Sequence, residues 1–261
     1  MIWLILLMVG FFVAWNIGAN DTANCVGVAV GGGILNRRRA IMIVVIFVII
    51  GAVLEGWKNM QTVGTGIIVP APGQENPLSL PSLAPLVLGI LASAGLWVLI
   101  ATIFGLPIST SQSMVGAVIG AGFLLTIVRP ELGASIQYSK LGAIGISWVL
   151  NPIIAAIVAF TILKLISPQI QKIKNVLVLN RILAILIIVS ASYSAYTLGA
   201  NDVGTSTGAI YAYFGGAPQL IALFGAVALV IGSITFSHRV MYTVGTRITT
   251  LDSVMAFAAQ F

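Results

Sequence analysis

Long apolar stretches separated by short polar links are the feature that most limits what this chain can fold into. They lie at residues 2–17, 22–35, 40–57, 84–104, 113–128, 141–163, 181–198, 203–214 and 219–236. Charged residues make up 7% of the chain, whereas a soluble domain carries about 25%. Because so few charges cannot build a solvated surface, lipid must replace water as the main solvent. The sequence therefore predicts an all-α polytopic membrane protein of the cell membrane.

Several of these stretches are shorter than the roughly 20 residues that one straight helix needs to cross a bilayer. Residues 2–17 and 22–35 therefore predict one broken helix over 2–35. Residues 181–198 and 203–214 predict a second broken helix in the same way. Each predicted break carries the polar residues of a motif that occurs twice in the chain.

A re-entrant hairpin is predicted over residues 84–128, between a helix at 40–57 and a helix at 141–163. Its two arms meet at Gly105-Leu-Pro-Ile-Ser-Thr-Ser-Gln112. Pro107 interrupts the helix and Gly105 permits a tight turn. The chain is thus expected to dip into the membrane and return to the same side.

Basic residues are concentrated in alternate links between the apolar stretches. They are Arg37, Arg38 and Arg39 after the first span, Lys164, Lys172, Lys174 and Arg181 in the middle, and His238, Arg239 and Arg247 after the last span. Loops rich in Lys and Arg face the cytoplasm. The first span is therefore predicted to run from outside to inside, and residues 181–214 in the opposite direction.

Two short motifs recur at one offset. Gly18-Ala-Asn-Asp21 recurs as Gly199-Ala-Asn-Asp202, and Thr62-Val-Gly-Thr65 recurs as Thr243-Val-Gly-Thr246, both 181 residues later. The repeat unit contains an odd number of segments, so the second copy would enter the membrane inverted. Inverted repeats with broken helices are an architecture of many secondary transporters, with the site near mid-membrane.

The repeat predicts a division into a first repeat at 1–180 and a truncated second repeat at 181–261. At the offset of 181, Phe261 corresponds to Leu80, which precedes the hairpin. The second repeat is therefore expected to be incomplete, without its own hairpin. The sequence leaves open whether the chain forms a homodimer or lacks a C-terminal part.

The repeated Asn-Asp motif is the main candidate for cation chemistry. A carboxylate at the bilayer centre costs about 2.5–3.5 kcal/mol even on lenient scales, so two of them need a compensating role. Carboxylate and amide oxygens are hard ligands for a small cation. The predicted coupling-cation and metal ligands, for sodium or for proton exchange at the carboxylates, are Asn20, Asp21, Asn24, Asn201 and Asp202. The alternative is that these side chains only cap half-helices.

The hydroxyl-rich hairpin tip is the candidate for anion binding. The free amides at a helix N-terminus attract anions, and hydroxyls add donors without a fixed charge. The predicted substrate-binding residues are Ser109, Thr110, Ser111 and Gln112, with Thr205 and Ser206 as further hydroxyls. The alternatives are ordinary N-capping at the tip and, for Thr205 and Ser206, bonding to neighbouring backbone.

Enzyme chemistry and nucleic-acid binding are not supported by any residue pattern. The sequence has no Ser-His-Asp set, no pair of metal-binding histidines and no phosphate-loop lysine, and it predicts no cofactor. The net charge of +6 comes from clusters that membrane topology explains. The expected partners are therefore a small anion, a coupling ion and the lipid bilayer, with no nucleic acid.

The motifs together resemble the inorganic phosphate transporter family, which comprises cation-coupled phosphate permeases and related sulfate permeases. The resemblance rests on Gly18-Ala-Asn-Asp-Thr-Ala-Asn24, on Gly199-Ala-Asn-Asp202 and on Gly105-Leu-Pro-Ile-Ser-Thr-Ser111 followed by Val115-Gly116. It implies inverted repeats, re-entrant hairpins whose Ser and Thr tips hold the anion, and cations, usually sodium, at the Asn-Asp positions. Gln112 stands where the family hairpin commonly has His, and Thr205 stands where the second motif usually has Asn.

The resemblance implies a secondary active transporter that moves inorganic phosphate across a membrane, coupled to a sodium or proton gradient. Two alternatives remain open at this level. One is a sulfate permease of the same family. The other is a non-transporting membrane remnant or sensor, because the second hairpin is missing from the predicted architecture.

Overall fold

A computed structural model describes residues 2–70, 72–73, 75–247, 255 and 257 of the chain. Its elements are α1 (Ile2–Gly31), α2 (Arg37–Gly51), a π-helical turn (Ala52–Gly56), α3 (Trp57–Thr65), β1 (Ile68–Val69), α4 (Ala84–Ile103), α5 (Thr110–Val128), β2 (Ser135–Ile136), α6 (Tyr138–Gln171), α7 (Val176–Phe214), α8 (Pro218–Phe236) and α9 (His238–Tyr242). Within the described ranges, seven helical segments are long and apolar enough to cross a membrane. The prediction of an all-α polytopic membrane fold is confirmed.

The predicted breaks in the two motif helices are wrong. The α-helix α1 runs without interruption from Ile2 to Gly31, and α7 does so from Val176 to Phe214. The physical reason is that the polar side chains find hydrogen-bond partners on other elements, so the backbone need not open to satisfy them. For example, the Asn20 amide bonds to residues at the end of α4 and just beyond it.

Two charged segments that directly follow predicted apolar stretches belong to helices and do not form links. Lys58 lies in α3, which continues α2 through the π-helical turn, so one apolar span covers residues 37–64. His238 and Arg239 begin α9, which packs along α1. Charged residues on one face of a helix do not terminate the helix when its other face packs against a neighbouring helix. For this reason the charges did not mark the ends of these two helices.

The hairpin predicted over residues 84–128 is formed by α4 and α5, which pack against each other. Gly105 has a φ of +69°, which a residue with a Cβ rarely adopts. The strands that flank the hairpin in sequence pair antiparallel, with Ile68 opposite Ile136. The hairpin therefore begins and ends on one side, while its tip reaches Asn20, well inside α1.

Glycine contacts between helices repeat at the sequence offset of 181. A Cβ on Gly18 would lie 1.9 Å from the Leu229 carbonyl oxygen, and one on Gly199 would lie 2.1 Å from that of Val48. Each residue of the first pair has its counterpart in the second. The helix pairs α1–α8 and α2–α7 thus pack through equivalent close contacts. The division into repeats at 1–180 and 181–261 stays a prediction, and Phe261 lies outside the described residues.

The helix α6 packs little against the rest of the described chain. Most of its side chains are exposed, although the helix is strongly apolar. In a membrane protein, such a surface can face lipid. The buried core therefore lies where α1, α2, α3, α4, α7 and α8 cross, and it surrounds the motif residues.

Candidate functional site

A cavity of about 720 Å³ lies between α1, α3, α7 and the hairpin tip. The residues that line it are mostly polar or small: Asp21, Asn24, Cys25, Asn59, Pro107, Ile108, Ser109, Thr110, Ser111, Ser194, Thr197, Leu198, Asn201, Asp202 and Thr205. Both motif carboxylates and three hydroxyls of the hairpin tip therefore meet in one place. A polar cavity between membrane helices is the geometry that a site for ions requires.

Asp21 is almost completely buried, with 6% of its surface exposed. The Thr110 hydroxyl donates to its Oδ2 at 2.6 Å, and the Asn24 amide donates to its Oδ1 at 3.1 Å. Both carboxylate oxygens thus accept hydrogen bonds, which compensates part of the cost of burying the group. The carboxylate is held by one partner on its own helix and one on the hairpin.

Asp202 occupies the equivalent position on α7 and is half-buried. The Ser111 hydroxyl donates to its Oδ1 at 3.3 Å. Thr110 and Ser111 are neighbours in the first turn of α5, so adjacent hydroxyls bond to the two carboxylates. Negative side chains are favourable at this end of a helix, where the macrodipole is positive.

The first turn of α5 is capped by Ser109. Its Oγ accepts a hydrogen bond from the Gln112 amide at 3.3 Å, and its carbonyl oxygen accepts one from the Ser113 amide at 3.2 Å. The preceding amides, on Thr110 and Ser111, have no acceptor within the helix because they belong to its first turn. The tip therefore combines an anion-attracting helix end with hydroxyl groups.

Asn20 is fully buried and does not line the cavity. Its amide nitrogen donates to the Thr102 hydroxyl at 2.9 Å and to the Leu106 carbonyl oxygen at 3.0 Å. Its Oδ1 accepts a hydrogen bond from the Ile108 amide at 3.1 Å. Both ends of the Asn20 carboxamide are therefore engaged by α4 and the hairpin tip, and its role as a cation ligand stays a prediction.

The remaining hydroxyls predicted for the anion divide into one inside the cavity and one outside it. Thr205 lines the cavity, and its hydroxyl donates to the Asn201 carbonyl oxygen at 3.1 Å. Ser206 is fully buried on another side of α7, where its hydroxyl donates to the Val203 carbonyl oxygen. One residue along a helix turns the side chain by about 100°, and Ser206 therefore lies on a different side of α7 from Thr205.

Gln112, predicted as a substrate ligand, is exposed and does not line the cavity. Its backbone amide donates to the Ser109 Oγ, so Gln112 takes part in the cap through its main chain. Neither Gln112 nor Ser206 is therefore placed to contact an anion in the cavity.

Sequence reasoning missed several residues of the cavity, above all Asn59 on α3. The Asn59 amide donates to the Asn201 Oδ1 at 2.7 Å. Ser194 and Thr197 also line the cavity, and they could have been found because Ser194, Thr197, Asn201 and Thr205 follow helical spacing along α7. No local pattern marks Asn59, which meets Asn201 only through packing.

A sodium ion here would depend on a mixed set of oxygen ligands. In the part of the chain that the structure describes, no group of three or more His, Cys, Asp or Glu side chains could hold a metal ion. A small cation accepts carboxylate, amide, hydroxyl and backbone oxygens together. The cavity offers such oxygens on Asp21, Asp202, Asn24 and the hairpin hydroxyls.

Comparisons with known proteins agree with this description. Residues 17–261 match the sequence profile described as "Phosphate transporter family". The chain is 30% identical to a Haemophilus influenzae protein named "Putative phosphate permease", across 97% of this chain and 78% of that protein. It is 28% identical to a protein of that description from Pyrococcus furiosus, across 99% of this chain and 79% of the relative.

A solved structure is also similar along nearly the whole chain. It is named "The sodium-dependent phosphate transporter", and it matches with a TM-score of 0.80 and 26% identity. The similarity covers 98% of this chain and 81% of that protein. The helical architecture is therefore shared by a protein of similar sequence.

Proposed function

This chain belongs to the phosphate transporter family, and we propose that it carries inorganic phosphate across the membrane together with sodium. The family supports phosphate as the transported substance, and the chain is a multi-pass membrane protein. The sodium-dependent relative of similar structure supports sodium as the coupling ion. Alternating access would come from movement of the two repeats around a central site.

One observation carries this proposal: two carboxylates from equivalent motifs meet a single hairpin tip in one cavity. Asp21 and Asp202 would repel a phosphate anion that entered alone. A bound cation between the anion and the carboxylates would remove that repulsion, and charge interactions are strong where water is scarce. Binding of the anion and of the cation would therefore favour each other, which is the requirement for coupled transport.

The same geometry divides the roles of the side chains. Asp21, Asp202 and the carbonyl oxygen of Asn24 would bind the cation. Ser109 and the first-turn amides of α5 would bind the anion. Thr110 and Ser111 donate their hydroxyl protons to the carboxylates, so their oxygens can still accept hydrogen bonds from a protonated phosphate or bind the cation.

The test is uptake of labelled phosphate by liposomes that contain the purified protein. Uptake should saturate, should depend on an inward sodium gradient and should fall to background when potassium replaces sodium. An imposed proton gradient without sodium separates the two coupling ions. Efficient competition by sulfate would instead indicate the sulfate permease alternative.

The Asp21→Asn variant should abolish gradient-driven uptake, because it removes the negative charge that the cation neutralises. Membrane insertion should be unaffected, as judged by the amount of protein extracted from membranes. The Thr126→Val variant is the control, since the exposed Thr126 hydroxyl bonds to the Phe123 carbonyl oxygen far from the cavity. Normal sodium-driven uptake by Asp21→Asn would contradict the assigned role, and phosphate binding without any uptake by the native chain would indicate a sensor.

A further inference from the structure

We propose that Asn201 presents its amide nitrogen to the transported anion and that Asn59 is the positioning residue that sets this orientation. The inference rests on the proposed function, because it assigns a ligand within the same cavity. It differs from the sequence prediction, which placed Asn201 among the cation ligands. Asn59 lies outside both repeated motifs, and its counterpart at the offset of 181 is Val240.

The orientation of Asn59 follows from a backbone group. Its amide nitrogen contacts the Ala200 carbonyl oxygen at 3.5 Å, in addition to the Asn201 side chain at 2.7 Å. A backbone carbonyl can only accept a hydrogen bond, so it favours the NH2 group of Asn59 toward α7. Asn59 is thus the donor in both contacts.

The orientation of Asn201 follows from that of Asn59. A donor at 2.7 Å requires an acceptor opposite it, so Asn201 must direct its Oδ1 toward Asn59. The NH2 group of Asn201 is then the end of the carboxamide that is available to the cavity. Because Asn201 is exposed there, its two N–H donors can reach a bound molecule.

The side-chain carboxamide of Asn24 has the opposite orientation to that of Asn201. Its NH2 group donates to the Asp21 Oδ1 at 3.1 Å, which leaves its carbonyl oxygen for the cavity. Two asparagines in one cavity therefore differ in what they offer. Asn24 on α1 supplies an acceptor suited to a cation, and Asn201 on α7 supplies donors suited to an oxyanion.

The expected consequence is a cavity divided into a cation side and an anion side. The donors of Asn201 would join Ser109 and the amides at the start of α5 around the oxyanion. Neutral donors bind an anion reversibly, since they add no fixed charge that must be separated from it on release. Removing the group that orients Asn201 should therefore weaken phosphate binding more than sodium binding.

The experiment is isothermal titration of purified protein, with phosphate titrated at saturating sodium and with sodium titrated at saturating phosphate. For Asn59→Ala, we expect the Kd for phosphate to rise up to about tenfold, the upper end of what the loss of one hydrogen bond costs. The sodium concentration for half-saturation should stay within about twofold of the native value. Asn151→Ala is the control, because it removes a carboxamide from the exposed surface of α6.

A second variant tests the orientation itself. In Asn59→Asp the new side chain can only accept, so Asn201 should rotate and present its oxygen to the cavity. We expect weaker phosphate binding than in Asn59→Ala and tighter sodium binding than in the native protein. A thermal unfolding midpoint close to the native one would confirm that both variants are folded.

Three results would overturn the inference: unchanged phosphate binding in Asn59→Ala, a weakening confined to sodium, or weakening of both ions to the same extent. Failure of the proposed function is distinguishable, because it is measured by uptake in liposomes and not by binding. A native chain that binds phosphate and does not transport it would contradict the proposed transport function. The titrations would still decide which end of the Asn201 carboxamide faces the cavity.

Discussion

At the scale of single residues, the adjacent hydroxyls of Thr110 and Ser111 form hydrogen bonds of different length and burial to two equivalent carboxylates. Thr110 is 3% exposed and bonds to Asp21 at 2.6 Å. Ser111 is half-buried and bonds to Asp202 at 3.3 Å. A shorter and more deeply buried hydrogen bond to a charged group contributes more. The Asp21 side of the cavity should therefore be the more sensitive to loss of its hydroxyl.

The Thr110→Val variant keeps the side-chain shape and removes the hydroxyl. It leaves an oxygen of a buried carboxylate without this donor, which costs about 1–3 kcal/mol or more for a charged group. We expect sodium-driven uptake of phosphate to fall at least about tenfold. Ser111→Ala should cause a smaller loss in the same assay. Equal losses in both variants, or a larger one in Ser111→Ala, would contradict this ranking.

At the scale of elements, helices approach each other closely because glycines stand where their backbones cross. Gly51 and Gly232 each face a carbonyl oxygen of the partner helix, from Tyr196 and Trp15, at Cβ distances of 2.1 and 1.9 Å. Small residues at such crossings let membrane helices pack tightly. The position of Asp202 relative to Asp21 therefore depends on these glycines, which carry no functional side chain.

The Gly199→Ala variant should disturb this packing. Its new Cβ would lie 2.1 Å from the Val48 carbonyl oxygen, so α2 and α7 must separate. Overpacking of this kind costs about 1–3 kcal/mol. We expect a thermal unfolding midpoint in detergent that is lower by several degrees, together with reduced uptake.

Gly120→Ala is the matched control, because no atom of another helix lies within 4 Å of the added Cβ. This variant should keep or slightly raise the midpoint, since Ala favours a helix more than Gly does. A Gly199→Ala protein as stable as the control would show that the helix crossing is looser than described.

At the scale of the whole molecule, the links and the hairpin define two sides of the membrane. The β1–β2 pair holds together the segments before and after the hairpin, on the side opposite Arg37, Arg38 and Arg39. Basic loops face the cytoplasm. The link at residues 66–83 should therefore face outward, and the link between α6 and α7 should face inward.

Single cysteines introduced at Glu75 and Lys172 test this orientation. Both positions are exposed, whereas the native Cys25 is 4% exposed and should react little. A membrane-impermeant maleimide added to intact cells should label Glu75→Cys. It should label Lys172→Cys only after the cells are permeabilised. The reverse pattern would show that the chain is inserted in the opposite direction.

The sequence by itself determined the membrane fold, because too few charges remain to cover a soluble surface. It also determined the hairpin, since Gly105 and Pro107 leave few alternatives to a turn. The carboxylates Asp21 and Asp202 were found as a pair because buried charges in apolar stretches are costly and their motif recurs. All of these properties depend on local composition or on spacing along the chain.

Only the tertiary structure decided which polar groups face the cavity and in which orientation. Asn20 hydrogen-bonds to the hairpin and lies in an unbroken α1. Its partners are 82 and 86 residues away in sequence, so no local pattern could reveal them. Asn59 meets Asn201 across 142 residues of sequence. Hydrogen bonding is directional and depends on which groups packing brings together, so no pattern along the chain could assign these roles.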